Sequence, residues 1–223
     1  TYTGWDDPRL GSLVALRKRG IQPETIRATM LHVGPKPVNV SISWDNFAST
    51  NRKIIEKTSN RYGFIRDPVV LNVRSVKKTI VAKLPVHPDY PDRGTREYPL
   101  APEDGVVSLV IPGADAEKLL DGMLVRLMGI ANVKVTDVGD AITAEFHSLD
   151  HLIAREEKAP FVNWLPINVG VKAKVVMADA SVADGIAEAS VEDMKPDDMF
   201  QFERFGYCRV DESKPFKAYY AHK

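Results

Sequence analysis

The sequence predicts a mainly β fold behind a helical N-terminal segment, and three observations predict it. Up to about residue 64, apolar residues recur at helical spacing between capping residues and glycines. Beyond Asp67-Pro68 the period shortens towards two, and short strand candidates follow one another at near-regular spacing. Gly and Pro are scattered among those candidates and helical stretches are few, which indicates β-barrels rather than a parallel sheet.

Taken in order, Asp7 is placed to cap a helix with Pro8 at its first position. Leu10, Leu13, Val14 and Leu16 give it partial helical spacing before Gly20 stops it. Pro23-Glu24 opens a second helix, with Ile26, Met30, Leu31 and Val33 as its apolar side and Gly34 at its end. Ser43 caps a longer helix that carries Trp44, Phe47, Ile54 and Ile55 towards a core. Strand candidates then run over 69–73 and 79–82, and the Pro-rich stretch 85–102 reads as a loop or hairpin tip. Strands resume at 106–111, and 115–121 is placed as one or two helical turns. Further strands follow at 124–127, 133–138 and 142–146, then a short helix within 148–156. Residues 169–175 alternate again, and 199–210 form a closing hairpin around Gly206.

A chain of 223 residues suits one large domain or two to three small ones. No run of about 18 apolar residues could span a membrane, and no secretory leader pattern opens the chain. The start at Thr1, without Met and running straight into Trp5-Asp6-Asp7, has the look of a cut inside a longer protein. Cys208 is the single cysteine, which excludes an intramolecular disulfide and a cysteine-rich zinc site and fits a reducing cytoplasm. Formal charge is zero but unevenly spread: residues 1–74 hold 12 Lys and Arg against 6 Asp and Glu, and residues 135–223 hold 10 against 16. Such a chain can hold a polyanion on one flank and stay in solution, although sequence thirds also mix in space.

No enzyme chemistry stands out. The sequence has no Gly-rich phosphate loop, no H-E-x-x-H and no G-x-S-x-G. Its five histidines are scattered, and His147 and His151, four apart, lack an acidic ligand in register. Glu156-Glu157 and Asp197-Asp198 sit in charged, loop-like contexts typical of solvated surface. No catalytic residue and no metal ligand is assigned, and the residues alone describe a binding module.

Gly4-Trp5-Asp6-Asp7-Pro8-Arg9-Leu10, followed by Ala15-Leu16-Arg17-Lys18-Arg19-Gly20-Ile21, resembles one family closely. It is similar to the segment that follows the ATP-site signature loop in glutamyl- and glutaminyl-tRNA synthetases of the archaeal and eukaryotic kind. Trp44-Asp45-Asn46-Phe47 with Asn51-Arg52-Lys53-Ile54-Ile55 continues the likeness, though Glu56-Lys57-Thr58-Ser59 replaces the usual D-P-I-A. Asn60-Arg61-Tyr62, Asp67-Pro68-Val69, Val162-Asn163-Trp164 and Phe200-Gln201-Phe202-Glu203-Arg204-Phe205-Gly206-Tyr207 follow in order. The likeness covers nearly the whole chain and is weakest over 77–104 and 148–159.

The resemblance implies a small helical stem-contact subdomain over 1–64 and two anticodon-binding β-barrels of the type shared with ribosomal protein L25. The near barrel is expected at 65–104 plus 160–223, and the far one at 105–159. It implies tRNA(Glu) as partner, with tRNA(Gln) a second candidate because both anticodons share their middle base. A cytoplasmic monomer is expected. ATP and magnesium belong to a parent enzyme whose nucleotide-binding fold carries H-I-G-H and K-M-S-K-type motifs; neither motif occurs in these residues, so no cofactor is expected for this piece. The texture of Val40-Ser41-Ile42-Ser43-Trp44 and the Asn-Arg-Lys run favour glutamyl over glutaminyl enzymes.

The resemblance also carries residues over. Arg61, Gln201 and Arg204 match positions that converge on the middle anticodon uridine in glutaminyl relatives. A glutamine amide can pair with both O4 and N3–H of an unstacked uracil, and arginines add charged donors. The alternative is a Gln201 that merely alternates outward and an Arg204 that pairs with an acid. Arg126 matches the first arginine of a V-R-L-R strand whose second is Met128 here. Tyr62 is a candidate stacking ring. Arg9 stands between a tRNA-elbow contact and a structural role, with Trp5 as a buried anchor. Arg17, Lys18 and Arg19 form either a phosphate clamp or a solvated helix end. Three other readings remain: a glutaminyl-tRNA synthetase piece, a ribosomal-RNA-binding barrel protein and a protein–protein scaffold module.

Overall fold

The computed structural model describes residues 2–35 and 39–223. Helices come first: α1 (Leu13–Lys18), α2 (Pro23–Val33) and α3 (Trp44–Ile55). Strands follow as β1 (Asn60–Tyr62), β2 (Phe64–Arg66), β3 (Pro68–Arg74), β4 (Ile80–Pro85), β5 (Thr95–Leu100) and β6 (Val107–Pro112). After the short α4 (Gly113–Ala116) come β7 (Leu124–Leu127), β8 (Asn132–Val138) and β9 (Ile142–Ser148), then α5 (His151–Glu156). The chain closes with β10 (Phe161–Val162), β11 (Leu165–Pro166), β12 (Gly170–Val176), β13 (Val182–Glu188), β14 (Met199–Phe202), β15 (Gly206–Glu212) and β16 (Phe216–His222). The fold is mainly β with a helical N-terminal part.

The first helix starts later than expected. Asp7 is buried in a turn, where its carboxylate accepts from the backbone N–H groups of Thr3 and Arg9, each at 3.0 Å. An Asp side chain that bonds its own backbone two residues on competes with helix, so Pro8 begins no helix. Ser12 caps α1 instead, its hydroxyl accepting from Ala15 N–H at 3.1 Å. Trp5, expected as a buried anchor, is 81% exposed. Gly20 ends α1 at φ 86°, a conformation that disfavours a side chain, and a Cβ there would also come within 2.6 Å of Met199 Sδ.

α2 starts at Pro23 as expected, yet its expected apolar side is split: Leu31 is 81% exposed and Met30 is exposed too, while Ile26 and Val33 are half-buried. Its buried residue is Thr25, whose hydroxyl donates to Asn51 Oδ1 of α3 at 2.8 Å. A polar pair therefore docks α2 on α3. α3 buries Phe47, Ala48, Asn51 and Ile55, a stripe at helical spacing.

Two compact units form. The first contains the N-terminal region through Asn60, Ala173–Ala183 and Ser190–Lys223; the second contains Arg61–Lys172 and Asp184–Ala189. In the first unit β14 pairs antiparallel with β15, β15 antiparallel with β16, and β16 parallel with β12. Phe200, Phe202 and Phe216 pack edge to face beneath these strands, with ring centroids 4.8–6.3 Å apart. Ile55 of α3 packs on Tyr207 and Ala221.

In the second unit, one curled sheet runs β10-β7-β8-β9-β3-β6-β11 and β4-β5 form a separate ribbon. β3 lies between β6, antiparallel with Leu71 opposite Leu109, and β9, parallel with Leu71 opposite Ile142. β2 pairs with the second half of β13, Ile65 opposite Ile186. Leu71, Leu109, Ile111, Leu127, Val133 and Ile142 fill this core. Each contributes about 1.5–3 kcal/mol by leaving water. Trp164 closes it, its indole N–H donating to the Met128 carbonyl at 2.8 Å and its ring meeting Tyr98 at 5.6 Å.

Candidate nucleic-acid interface

Period two builds the β14–β15 hairpin. Phe200 and Phe202 point into the first unit's core, so Gln201 between them points to the other face. Its backbone pairs with Tyr207, and its half-buried amide has no hydrogen-bond partner among the described residues. Arg204 follows at the tip, exposed and at φ 60°, a left-handed conformation uncommon outside glycine. The Phe205 N–H closes the turn on the Phe202 carbonyl at 3.1 Å. One hairpin thus carries an amide able to donate and accept on its strand and an exposed arginine at its tip.

The other basic residues of the first unit divide by surroundings. Arg17 is exposed, and its side chain makes neither an ion pair nor a hydrogen bond among the described residues. Lys18 pairs with Asp6 at 2.6 Å and sits over the Tyr219 ring, contacts that raise its pKa above the ordinary lysine value. Arg19 is 6% exposed. Its guanidinium donates to the Ala221 carbonyl at 2.9 Å and lies 4.3 Å over the Trp44 ring, so it braces α1 against β16 and α3. The three adjacent cations therefore have different surroundings. Arg9 holds Asp7 through both carboxylate oxygens, at 2.8 and 2.6 Å, and its guanidinium also lies 4.8 Å over the Tyr2 ring. That bidentate partner keeps the Asp7 carboxyl well below the usual carboxylate range.

In the second unit, β1 carries Arg61 and Tyr62, both half-buried. The Arg61 N–H donates to the Val86 carbonyl at 2.8 Å, which sets β1 beside the turn between β4 and β5. Next to Tyr62, the Gly63 N–H donates to buried Glu188, which also receives Arg96 and the Tyr98 hydroxyl. Burial pushes the Glu188 carboxyl up, and Arg96 opposes that push. Arg126 is 8% exposed and donates to Asn132 Oδ1 and the Leu149 carbonyl, each at 3.1 Å. It ties β7 to β8 and to the segment ahead of α5. The described residues contain no group of His, Cys, Asp and Glu able to hold a metal ion.

Two family models, each described as the anticodon-binding domain of class I tRNA synthetases for glutamate and glutamine, match residues 59–150 and 134–211. The chain belongs to that family. A glutamate–tRNA ligase of Methanopyrus kandleri is 45% identical over 99% of this chain, and one of Pyrococcus abyssi 40% identical over all of it. One of Methanocaldococcus jannaschii is 39% identical, again over all of it. The chain spans 38–39% of these relatives' own length.

Within this anticodon-binding region the two matches take in Arg61, Tyr62, Arg126, Gln201 and Arg204. Sequence reasoning missed Asn51, His222 and Glu188, three buried polar residues that organise the surroundings of the candidate contacts. The signal for Glu188 was a lone charge in Ala187-Glu188-Ala189; for Asn51, an amide on the apolar side of α3.

Proposed function

We propose that the chain is the tRNA-reading part of a glutamate–tRNA ligase and that Gln201 and Arg204 read the middle anticodon base. The β14–β15 hairpin carries this reading: Phe200 and Phe202 are locked in the core, and the Gln201 amide between them has donor and acceptor open. A uracil presents the complementary pair, O4 and N3–H, and Arg204 supplies a charged donor beside it. Arg61 and Tyr62 of the second unit add a cation and a ring, and Arg9, Arg17 and Lys18 supply backbone contacts. Arg19 and Arg126 are left out, because their guanidinium groups already serve internal carbonyl and amide oxygens.

The reading includes two anticodon-binding β-barrels, at 65–104 plus 160–223 and at 105–159, behind a helical stem-contact segment. Strand pairing supports one adjustment, with β3 counted among the strands of the 105–159 barrel. tRNA(Glu) is the proposed partner and tRNA(Gln) the second, in the cytoplasm, with the protein a monomer. The ligation itself, which joins glutamate to tRNA with ATP and magnesium, belongs to the rest of the parent enzyme.

Binding to tRNA(Glu), tRNA(Gln), a tRNA with cytidine at the middle position and a ribosomal RNA fragment tests the proposal. The first two should bind alike, and the other two more weakly by about tenfold or more. Equal affinity for all four would favour a scaffold module with incidental charge attraction.

A further inference from the structure

Asn51 of α3 is fully buried, and its amide has four partners in the first unit. Oδ1 accepts from the Gln22 N–H and from the Thr25 hydroxyl, each at 2.8 Å. Nδ2 faces the Gly20 carbonyl at 3.3 Å and His222 Nε2 at 3.0 Å. Donors on one side and a carbonyl on the other leave the amide one orientation, so Nδ2 must donate to His222. Nε2 is then the acceptor, and the imidazole proton sits on Nδ1, which donates to the Lys223 carbonyl at 3.1 Å.

His222 is 2% exposed and belongs to a cross-strand row, with Gln201 opposite Tyr207 and Tyr207 opposite His222. The row is tightly held. Arg19 donates to the neighbouring Ala221 carbonyl, and a Cβ on Gly206 would come within 2.7 Å of the His222 carbonyl oxygen. The charged groups that face the imidazole are Arg52 on α3 and Arg19 at the end of α1, and the Tyr207 ring lies 5.4 Å away. Burial, with these two cations, holds its pKa below the ordinary histidine value.

We propose that Asn51 is a positioning residue for base reading: by holding neutral His222, it fixes the strand row that carries Gln201 and leads to Arg204. The inference rests on the reading of Gln201 as a base contact. It gives that contact a dependence on one proton, since a protonated Nε2–H would oppose an Asn51 N–H that Gln22 and Thr25 prevent from turning.

The test titrates the whole chain with anticodon stem-loops bearing uridine or cytidine at the middle position, from about pH 7.5 down through the range in which His222, held below the ordinary histidine value, takes up its proton. In the unaltered protein the preference for uridine should fall about tenfold once His222 is protonated, the loss of one base contact. Asn51→Asp keeps an acceptor towards Gln22 and Thr25 but turns an acceptor towards His222, which suits the protonated ring. Its preference should be about tenfold weaker at the higher pH and recover at the lower, opposite to the unaltered protein. Asn51→Leu should be weak at both. A tether that serves stability alone would lower the melting temperature of the variants and leave the preference and its pH response unchanged. That result, with Gln201→Ala abolishing the preference, overturns the proposal. If Gln201→Ala keeps the preference, base reading by Gln201 falls and the positioning role falls with it. Should Asn51→Leu fail to fold, the reversed pH response of Asn51→Asp decides.

Discussion

Arg17, Lys18 and Arg19 are three adjacent cations with three fates: open, paired with Asp6, and buried on a backbone carbonyl. In one dimension they are equivalent, because a six-residue helix gives too little periodicity to separate an exposed turn from a buried one. Gln201 was easier to place, since Phe on either side of it in a strand fixes its direction by alternation alone. The cations carry separable predictions. Arg17→Ala should leave the melting temperature unchanged and reduce the log–log salt slope of tRNA binding by about 0.7–0.9, the loss of one phosphate contact. Arg19→Ala should leave that slope unchanged and cost about 1–3 kcal/mol of stability, the range for a charge-assisted internal bond. Thermal melts beside salt titrations check both. A slope change in the Arg19 variant would return it to the RNA contacts.

Elements were legible in the sequence where periodicity or punctuation was strong, and partners were not. Pro23 and Gly34 mark α2 where the sequence placed it, and alternation marked β8, β12 and the β14–β15 hairpin. The side chains that join α2 and α3 escaped, because a Thr–Asn pair leaves no apolar stripe to read. The parallel pairing of β3 with β9 escaped as well, since it links residues some seventy positions apart. The join of α3 to β16 has a pH signature. His222 titrates below its ordinary value of 6.5 in the folded chain, so unfolded chains bind a proton that folded ones do not. The stabilisation from neutral His222 is therefore present above about pH 6.5 and declines as pH falls from there through the folded-state value. Urea midpoints of the unaltered chain and of His222→Gln should converge as pH falls through that window; a gap independent of pH would contradict the tether. Gly206→Ala should destabilise the hairpin by about 1–3 kcal/mol, since the added Cβ would meet the Tyr220 ring at 2.6 Å and the His222 carbonyl.

At the scale of the molecule, family membership was legible because its N-terminal motif and the closing F-Q-F-E-R are contiguous in the chain. Sheet curvature and the division into compact units were not, being sums of strand pairings that no short window contains. The chain covers 38–39% of relatives named for ligating glutamate to tRNA, and H-I-G-H and K-M-S-K motifs are absent from its residues. Supplied with ATP, glutamate and tRNA, it should exchange pyrophosphate at background only; turnover would place nucleotide chemistry within these residues. What it is proposed to contribute is selection of the anticodon, centred on Gln201. A double-mutant cycle tests this most directly, comparing the unaltered chain and Gln201→Ala on tRNA with uridine or cytidine at the middle anticodon position. Each single change should cost about 1–3 kcal/mol, and the two together no more than either alone, because both remove the same contact. Costs that simply add would make Gln201 an ordinary strand residue and contradict the account.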